Sequence, residues 1–450
     1  MNTQPDEIQL SITGLGHDGE GVGRADNMVF FVAGALPGET VKAKIIEKKK
    51  SFYRAELLEI TTPSLQRITP QCPYFNDCGG CQLQHMDYQS QLAFKTQRVR
   101  DAVSRIGKTD PSIVGQCIGM DHPWEYRNNI QYTTSKIGDN IYPGLLKRQS
   151  HDAIPIARCL LVSEDIDLLA GAVCAAAAEV LSGKDSNPAI SFERIQIRKS
   201  FSGNNLMTIL YSKFKPTASG ERFAKILVNK IKGITPEIVV TGIINCVTDT
   251  SGRITQEITL HGSNSITETV SCLAFTIQAQ SFFQVNTIQA ERLFETAVSL
   301  IREKHTTAID AFCGTGSLAL FFARKGMTVV GIESNPSAVK DAIQNSKANN
   351  LPKARFKTGS FSRLFPDIVK KYQPSLLIAD PPRSGIGQRD LTGMRNTSIQ
   401  EIVYISCDPE TLARDIGYLG KEGFSPESII PVDMFPQTAH VETISIFKRV

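Results

Sequence analysis

Two apolar runs in the last quarter of the chain constrain its fold more than any other feature. Leu376–Ala379 runs into the sequence DPPR, which begins at Asp380, and Ile402–Ser406 runs into Cys407. Buried parallel strands deliver functional residues to their carboxyl ends in this way, because helices cover both faces of such a sheet. The pattern therefore predicts an α/β fold with Asp380, Arg383 and Cys407 at one sheet edge.

Cys407 is followed by Asp408, Pro409, Glu410 and Thr411, a sequence typical of a helix start. A thiol at a helix N-terminus faces backbone N–H groups and the positive end of the helix dipole. We therefore expect the pKa of Cys407 to fall below about 8.5, which would make it a nucleophile. The alternative is that Cys407 packs as a small apolar residue, as most buried cysteines do.

A second pair of runs predicts a nucleoside-binding half-sheet. TTAIDAFCGTGSLALFFARKG reads as strand, glycine loop and helix, and a second strand ends at Glu333, 19 residues after Gly314. The glycines let the backbone approach a ligand, and the acidic residue accepts hydrogen bonds from ribose hydroxyls. The third glycine of the dinucleotide fingerprint is missing, with Ala319 near its place. A single-nucleoside cofactor such as S-adenosylmethionine is therefore favoured over NAD.

Three cysteines predict a metal centre ahead of this region. Cys72, Cys78 and Cys81 are separated by five and two residues, with two glycines between the last two cysteines. Zinc and an iron–sulfur cluster both require a fourth ligand. Cys159 is our candidate, and Cys117 and Cys174 are its rivals. The spacing alone leaves the identity of the metal open.

The N-terminal segment predicts a small β-barrel, because residues 7–60 read as short alternating strands broken by glycines. Within it, Thr40–Arg54 contains six basic residues and one acidic residue, together with Phe52 and Tyr53. Cations beside aromatic rings suit a phosphate backbone and unstacked bases, so Lys48, Lys49 and Phe52 are candidate RNA contacts. A solvated strand face is the alternative.

A length of 450 residues predicts two or three domains. We expect a barrel at 1–62, a central RNA-binding domain of mixed α+β structure at 63–270, and a Rossmann-like catalytic domain at 271–450. The sequence at 87–106 has helical periodicity with basic residues on one side. This amphipathic helix is a candidate for packing on the catalytic domain.

Composition and charge narrow the class of protein. No run of about 18 apolar residues occurs, and the N-terminus has no signal-peptide pattern, so we expect a cytoplasmic protein with no membrane partner. Ten cysteines in such a chain favour thiols, metal ligation or catalysis over disulfides. The net charge of +4 is small, so a nucleic-acid surface must be local.

Five motifs in order resemble one family over nearly the whole chain. They are DAFCGTGSLAL, GIESNPSAV, LLIADPPRSG, YISCDPETLARD and HVETIS. With the barrel and the cysteines, they resemble the bacterial RNA uracil-5-methyltransferases, and most of all the ribosomal-RNA branch. SITGLGHDGEGVGR resembles the start of a TRAM domain, an RNA-binding barrel of the OB-like type. Residues from about 190 to 270 carry no motif of the family.

The resemblance implies a function, the transfer of a methyl group from S-adenosylmethionine to C5 of a uridine in 23S ribosomal RNA. It also implies that the enzyme is a monomer and does not bind DNA. C5 of uracil is a weak nucleophile, so a thiolate must first add to C6. The resemblance gives this role to Cys407 and makes Glu442, in HVET, the base that removes the C5 proton. On HVET alone, the better interpretation of Glu442 would be an exposed glutamate on an edge strand.

The resemblance also implies ligands for each cofactor. It assigns S-adenosylmethionine contacts to Gln284, Phe312, Gly314, Ser317, Glu333 and Asp380. It assigns a [4Fe–4S] cluster to Cys72, Cys78, Cys81 and Cys159, and an enolate or phosphate contact to Arg383. Ser317 stands where relatives often carry asparagine. The sequence at 359–365 lacks the usual acidic residues of the adenine-side loop, so the cofactor pocket is expected to differ there.

Three other functions remain open on the sequence. The first is a transfer-RNA uracil-5-methyltransferase. The second is an amino-methyltransferase, because DPP begins the motif of such enzymes, although Arg383 replaces their stacking aromatic residue. The third is a non-catalytic RNA-binding factor with a structural metal.

Overall fold

The structure is a computed structural model that describes residues 7–138, 140–182, 192–213, 218–234 and 239–450. The first six residues of the predicted barrel therefore lie outside the described residues. Three sheets follow one another along the chain. No helix in the described ranges has the length and hydrophobicity needed to cross a bilayer.

The first sheet is a closed barrel, as the glycine-broken alternation predicts. Its strands are β1 (Glu7–Leu15), β2 (Gly21–Ala25), β3 (Met28–Val32), β4 (Thr40–Lys48) and β5 (Phe52–Thr62), in the order β1-β2-β3-β5-β4. Antiparallel pairing of β1 with β4 closes the barrel. In β4, Val41 and Ala43 are buried whereas Lys42 and Lys44 are exposed, because successive side chains of a strand point to opposite faces.

The second sheet forms the central domain and is mixed. Its strands are β6 (Asn129–Ile137), β7 (Asn140–Leu146), β8 (Ala153–Pro155), β9 (Phe192–Ser200), β10 (Asn205–Ser212), β11 (Val239–Thr248) and β12 (Ile254–Gly262). They lie in the order β12-β11-β10-β9-β6-β7-β8, and only β10 and β11 are parallel neighbours among them. Helices α2 (Glu164–Ser182) and α3 (Ala218–Ile234) cover one face through an apolar core that includes Leu169, Ile197 and Phe223.

The third sheet has the predicted doubly wound form. Its strands are β15 (Thr307–Ala311), β16 (Thr328–Glu333), β17 (Ala354–Thr358), β18 (Leu376–Ala379), β19 (Glu401–Ser406), β20 (Phe424–Val432) and β21 (Glu442–Arg449). The order is β17-β16-β15-β18-β19-β21-β20, and the strands from β15 to β19 are parallel whereas β21 runs antiparallel to its neighbours. Leu376 and Ile378 belong to one apolar core and Leu377 and Ala379 to another, so both faces are buried.

Helices surround this sheet on both faces. They are α4 (Thr287–Ser299), α5 (Ser317–Arg324), α6 (Pro336–Ala348), α7 (Phe361–Tyr372), α8 (Gln388–Leu391) and α9 (Pro409–Lys421). Two short 3₁₀ helices occupy Pro111–Ile113 and Met394–Asn396. A hairpin of β13 (Ser265–Val270) and β14 (Leu273–Gln278) leads into the domain. The domain boundary expected at 270 therefore falls in the turn of this hairpin. Because β13 and β14 pair with each other, a boundary there would divide one structural unit.

Helix α1 (Tyr88–Arg105) lies against the third sheet, although it precedes the central domain in sequence. Its Lys95 forms a fully buried ion pair with Asp433. The chain after α1 continues along β20, where Gly115 N–H donates to the carbonyl of Ile429 and Ile118 N–H to that of Pro431. Part of the predicted central domain, α1 and the residues after it, thus packs on the domain of the third sheet.

Candidate active site

The register of β19 and β21 places Cys407 opposite Glu442. Ser406 pairs with Thr443 across these antiparallel strands, so the residue after Ser406 faces the residue before Thr443. Cys407 is half-buried and Glu442 is buried. Two residues 35 positions apart in sequence thus meet at the carboxyl end of β19.

The pKa of Cys407 is raised rather than lowered. Burial, followed by the charges of Glu442 and Asp380, raises the pKa of the Cys407 thiol to about 11, whereas Arg383 opposes the shift. The expectation of a lowered pKa is therefore wrong for the protein without ligands. Cys407 precedes the helix cap: the carboxylate of Asp408 accepts the Thr411 N–H at 2.8 Å, so a negative charge occupies the helix N-terminus.

Glu442 and Asp380 both have raised pKa values. Burial and then the charge of Asp380 raise the pKa of Glu442 to about 8, and burial raises the pKa of Asp380 to about 7. Two carboxyl groups in one poorly solvated site disfavour each other's ionisation. A carboxyl with a pKa near neutrality can accept a proton and release it again, which general base catalysis requires.

The glycine loop after β15 forms a cradle beside this pair. The N–H of Gly314 donates to Glu333 at 3.2 Å, which joins the loop to the end of β16. Gly316 caps α5 at a φ of +86°, and a Cβ there would lie 2.9 Å from the ring of Phe356. Phe312 has a φ of +62° and packs on Phe361 at 5.6 Å between ring centroids. Backbone N–H groups and an aromatic ring are thus available to a nucleoside.

Asp310 is a cradle residue that our sequence reasoning did not single out. It is fully buried in β15, and no side chain of the described residues donates a hydrogen bond to its carboxylate. Burial, followed by Asp380, raises its pKa well above the usual range, although the Ala319 N–H favours ionisation. Its signal was present in the sequence, since an acid inside the apolar run TAIDAF precedes Gly314 by four residues.

Gln284 and Arg383 lie in loops of the same domain. The buried Gln284 accepts a hydrogen bond from Asn128 through its backbone carbonyl at 2.9 Å, and its side chain has no partner among the described residues. Arg383 is exposed, and its charge, after desolvation, lowers the pKa of His440. Ser317 is the first residue of α5. The side chains of Gln284 and Arg383 are therefore available to ligands.

Comparison with known proteins assigns the chain to a family. The profile of the tRNA (uracil-5-)-methyltransferase family matches residues 87–450. The chain belongs to this family. The profile of the TRAM domain matches residues 4–58, which cover most of the barrel. The protein is therefore an S-adenosylmethionine-dependent RNA methyltransferase, as its motifs predicted.

Relatives and a solved structure agree with this assignment. An uncharacterized RNA methyltransferase of Clostridium acetobutylicum is 34% identical over 99% of this chain and 97% of its own length. Another uncharacterized RNA methyltransferase, from Listeria innocua, is 33% identical over 98% of this chain and 97% of its own length. The crystal structure of a Pyrococcus abyssi tRNA (uracil-54, C5)-methyltransferase in complex with S-adenosyl-L-homocysteine has a TM-score of 0.74 and covers 98% of this chain and 99% of its own. At 23% identity, it supports the fold.

In this RNA methyltransferase the four predicted cysteine ligands line one cavity. Cys72, Cys78, Cys81 and Cys159 contribute to a space of about 740 Å³, together with Phe75, Gln84, Arg127 and others. The rivals Cys117 and Cys174 are buried and do not line it. The fold thus brings the fourth cysteine back from 78 positions along the chain.

The width of the cysteine site bears on which metal it can hold. No three of the four sulfur atoms lie within 4.8 Å of one another. Four thiolates at about 2.3 Å from one tetrahedral zinc ion would be separated by roughly 3.8 Å. The four thiols therefore share one cavity, and no three of them are held as close together as a bound zinc ion would hold its ligands.

The barrel candidates differ in how free their side chains are. Lys49 forms an ion pair with Glu47 at 2.6 Å, whereas Lys48 forms none among the described residues and lies 5.9 Å from the ring centroid of Tyr53. Phe52 is half-buried and packs edge-on against Phe31. Lys48 is thus the freest of the three for a phosphate contact.

A second polar cluster lies at the opposite edge of the catalytic sheet. Ligand atoms of Glu303, His305 and Glu401 fall within 4.8 Å of one another. The His305 ring contacts Glu401 at 2.7 Å and the hydroxyl of Ser375 at 2.8 Å, and Lys448 lies 3.6 Å from Glu303. Each carboxylate has a partner within the protein, Lys448 for Glu303 and the His305 ring for Glu401, so we interpret the cluster as structural.

Proposed function

We propose that this enzyme methylates C5 of a uridine in 23S ribosomal RNA through a covalent bond between Cys407 and C6. The juxtaposition of Cys407 and Glu442 supports the proposal, because this reaction needs a nucleophile and a base on one ring. An amino-methyltransferase needs no thiol and uses an aromatic residue where Arg383 stands. A non-catalytic factor would not require a buried carboxyl beside a thiol.

Cys407 starts the reaction: its thiol loses the proton to solvent on its exposed side, the thiolate forms the S–C6 bond, and the electrons of the C5–C6 double bond move onto O4 as an enolate. Arg383 is the nearby cation available to stabilise that charge. S-adenosylmethionine supplies the methyl group that C5 attacks. Glu442 then removes the C5 proton, the C5–C6 double bond re-forms, and the sulfur of Cys407 leaves as a thiolate. Because a paired base is out of reach, the target uridine must be unpaired or flipped.

The acidic residues of the cradle suit a cationic cofactor. Asp380 and Glu333 both act electrostatically on Asp310, whose carboxylate has no side-chain hydrogen-bond partner in the described part of the chain. A sulfonium or ammonium group is the charge that such a set of carboxylates would stabilise. We propose Asp310 as a further cofactor residue beside Gln284, Phe312, Gly314, Ser317, Glu333 and Asp380.

Asp310→Asn is expected to weaken S-adenosylmethionine binding on the order of tenfold, about 1.4 kcal/mol, because the substitution keeps the shape and removes the charge. Binding of S-adenosylhomocysteine, which lacks the sulfonium charge, should weaken less. Calorimetric titration with both ligands measures the difference. Asp341→Asn is a matched control, since Asp341 is buried in the same domain but bonds Ser281 and Gln278. An equal loss for both ligands would remove the charge argument.

We propose that the four cysteines bind a [4Fe–4S] cluster that joins the segment at 72–81 to Cys159. Cys159→Ser is expected to lose iron and sulfide, lower the melting temperature and weaken RNA binding more than cofactor binding. Anaerobic purification with iron and sulfide analysis, thermal melting and RNA titration test this. Cys174→Ser, outside the cavity, is the control. Zinc in stoichiometric amount, or unchanged melting and RNA binding in Cys159→Ser, would contradict the proposal.

Ribosomal RNA is the proposed target because the resemblance is nearest to that branch, and the proposed compartment is the cytoplasm. Transfer RNA is the second candidate, since the Pyrococcus abyssi tRNA enzyme covers 98% of this chain, barrel included. Mapping 5-methyluridine in both RNAs from a deletion strain decides between them. We expect a loss from 23S ribosomal RNA. A loss confined to transfer RNA would move the assignment.

A further inference from the structure

The segment between β20 and β21, residues 433–441, carries the chain into Glu442 and is anchored by α1. Lys95 and Tyr88 of α1 both contact the carboxylate of Asp433, the latter at 3.0 Å. Arg98 donates to the backbone carbonyl of Ala439 at 2.9 Å. The position of Glu442 therefore depends on what this segment packs against.

Gln437 makes four hydrogen bonds in that segment, as many as Asp433. Its backbone carbonyl accepts the N–H groups of both Gln82 and Leu83 at 3.0 Å. Its side-chain oxygen accepts from the Gln91 amide, and its own N–H donates to the Gln91 side-chain oxygen, each at 3.0 Å. Gln437 is 3% exposed. It thus joins the base-bearing segment to α1 and to residues 82–83.

The backbone of Gln437 is strained, with a φ of +70°. A residue other than glycine pays about 1 kcal/mol or more for this left-handed conformation and keeps it only where its surroundings impose it. The four hydrogen bonds to Gln82, Leu83 and Gln91 are those surroundings. Loosening them allows the segment to relax to an ordinary conformation and to shift the residues that follow.

Two partners of Gln437, Gln82 and Leu83, directly follow the cysteine segment at 72–81. Gln82 directly follows Cys81, and its side-chain amide donates to the carbonyl of Gly79 at 2.9 Å. Arg148 donates to the carbonyl of Cys81 at 2.8 Å. The two N–H groups that donate to the Gln437 carbonyl therefore belong to residues one and two positions after Cys81, a predicted cysteine ligand. No flexible linker separates them from it.

We propose that Gln437 is a positioning residue through which the cysteine centre sets the placement of Glu442. The inference rests on the proposed function, because it assigns Glu442 to proton removal. Formation of the Cys407 adduct and methyl transfer precede that step, so they do not require Glu442 to be in place. Loss of the link should consequently slow the release of methylated RNA and leave the earlier steps intact.

Gln437→Met removes the one side-chain hydrogen bond of Gln437, from the Gln91 amide, with little change in volume, and so loosens the anchoring of the strained residue on α1. With RNA containing ordinary uridine, we expect kcat to fall roughly 10- to 100-fold, the size of a general base contribution. The KM for RNA should stay within about twofold, and a methylated covalent adduct on Cys407 should accumulate in mass spectra. Gln91→Met, which breaks the same pair from the other side, should act alike and covers a failure of the first variant to fold.

The link to the cysteine centre is tested by removing the metal from the wild type with an oxidant and a chelator. Without RNA, hydrogen exchange should rise in the peptide spanning 433–442. At saturating RNA the metal-free wild type should accumulate the same adduct. In Gln437→Met, metal loss should add little to the adduct, because both changes release the same segment, one from α1 and the other from residues 82–83. Asn349→Leu is the control, since in the same domain it removes two hydrogen bonds to Ala274 of β14 and one to the carbonyl of Asn345 in α6.

Two results would overturn the proposal. One is metal loss that weakens RNA binding while exchange at 433–442 stays unchanged and no adduct accumulates. The other concerns the amount of adduct that Gln437→Met accumulates. The proposal fails if Asn349→Leu accumulates as much, or if metal loss and Gln437→Met increase the adduct independently of each other. Failure of the proposed function looks different: wild-type protein with its metal would then form no adduct with 5-fluorouridine RNA, while the exchange measurement would still report on the link.

Discussion

Cys407→Ala should lose methyl transfer by a factor on the order of 10⁴ or more, the scale seen when a catalytic nucleophile is removed. The physical reason is that no other described thiol lies at the carboxyl end of β19, where Cys407 meets Glu442 and Arg383 influences its charge. S-adenosylmethionine binding should change little, because the glycine loop and Glu333 are untouched.

The decisive measurement uses RNA with 5-fluorouridine at the target. Fluorine cannot leave as a cation, so the enzyme should stall as a methylated covalent adduct that mass spectrometry maps to Cys407. The exposed Cys272 supplies the control, and Cys272→Ala should form the adduct at the wild-type rate. Methylation of a competent substrate with no cysteine adduct would return Cys407 to a packing role and favour an amino-methyltransferase.

Glu442→Gln has the second-largest expected effect. The variant should complete the covalent addition and the methyl transfer and then stop, because the amide cannot accept the C5 proton. With ordinary uridine RNA, steady-state turnover should fall by about 10²–10⁴-fold while one equivalent of methylated adduct forms. Single-turnover kinetics and mass spectrometry separate the two steps. Loss of the adduct together with turnover would show that Glu442 acts before methyl transfer.

The same variant should alter the pH dependence of stability. The pKa of Glu442 rises from 4.5 to about 8 on folding, so the folded protein binds more protons than the unfolded protein between these values. Without ligands, the melting temperature should therefore decrease as pH rises from about 5 to 8. Glu442→Gln should flatten this decrease, and Asp380 and Asp310, whose pKa values are also raised, should contribute to what remains. An unchanged slope would mean that Glu442 is ionised in the folded protein at neutral pH.

Much of the fold is predictable because its signals are local. Glycine-broken alternation at 7–60 predicts the barrel, and apolar runs that end at Asp380 and Cys407 predict parallel strands with functional ends. The glycine loop and Glu333 predict the cradle from a spacing of 19 residues. Each inference needs only the periodicity of one or two elements.

Properties of the site that depend on distant partners were not predictable in this way. A helix N-terminus predicts a low pKa for Cys407, whereas Glu442, Asp380 and burial raise it. Asp310 was overlooked because the lack of a side-chain hydrogen-bond donor to its carboxylate becomes apparent only once its neighbours in the fold are known. The role of Glu442 came from family resemblance, since HVET on its own also reads as an edge strand.

The sequence by itself determined the N-terminal barrel, the type of sheet in the α/β fold, the class of cofactor and the residue types available for the chemistry. Tertiary structure alone decided that Cys407 faces Glu442, that Cys159 joins the other three cysteines, and that Gln437 receives Gln82 and Leu83. The physical reason is that element formation follows from local periodicity and burial. Contacts between residues tens to hundreds of positions apart are instead set by strand register and by how whole elements pack.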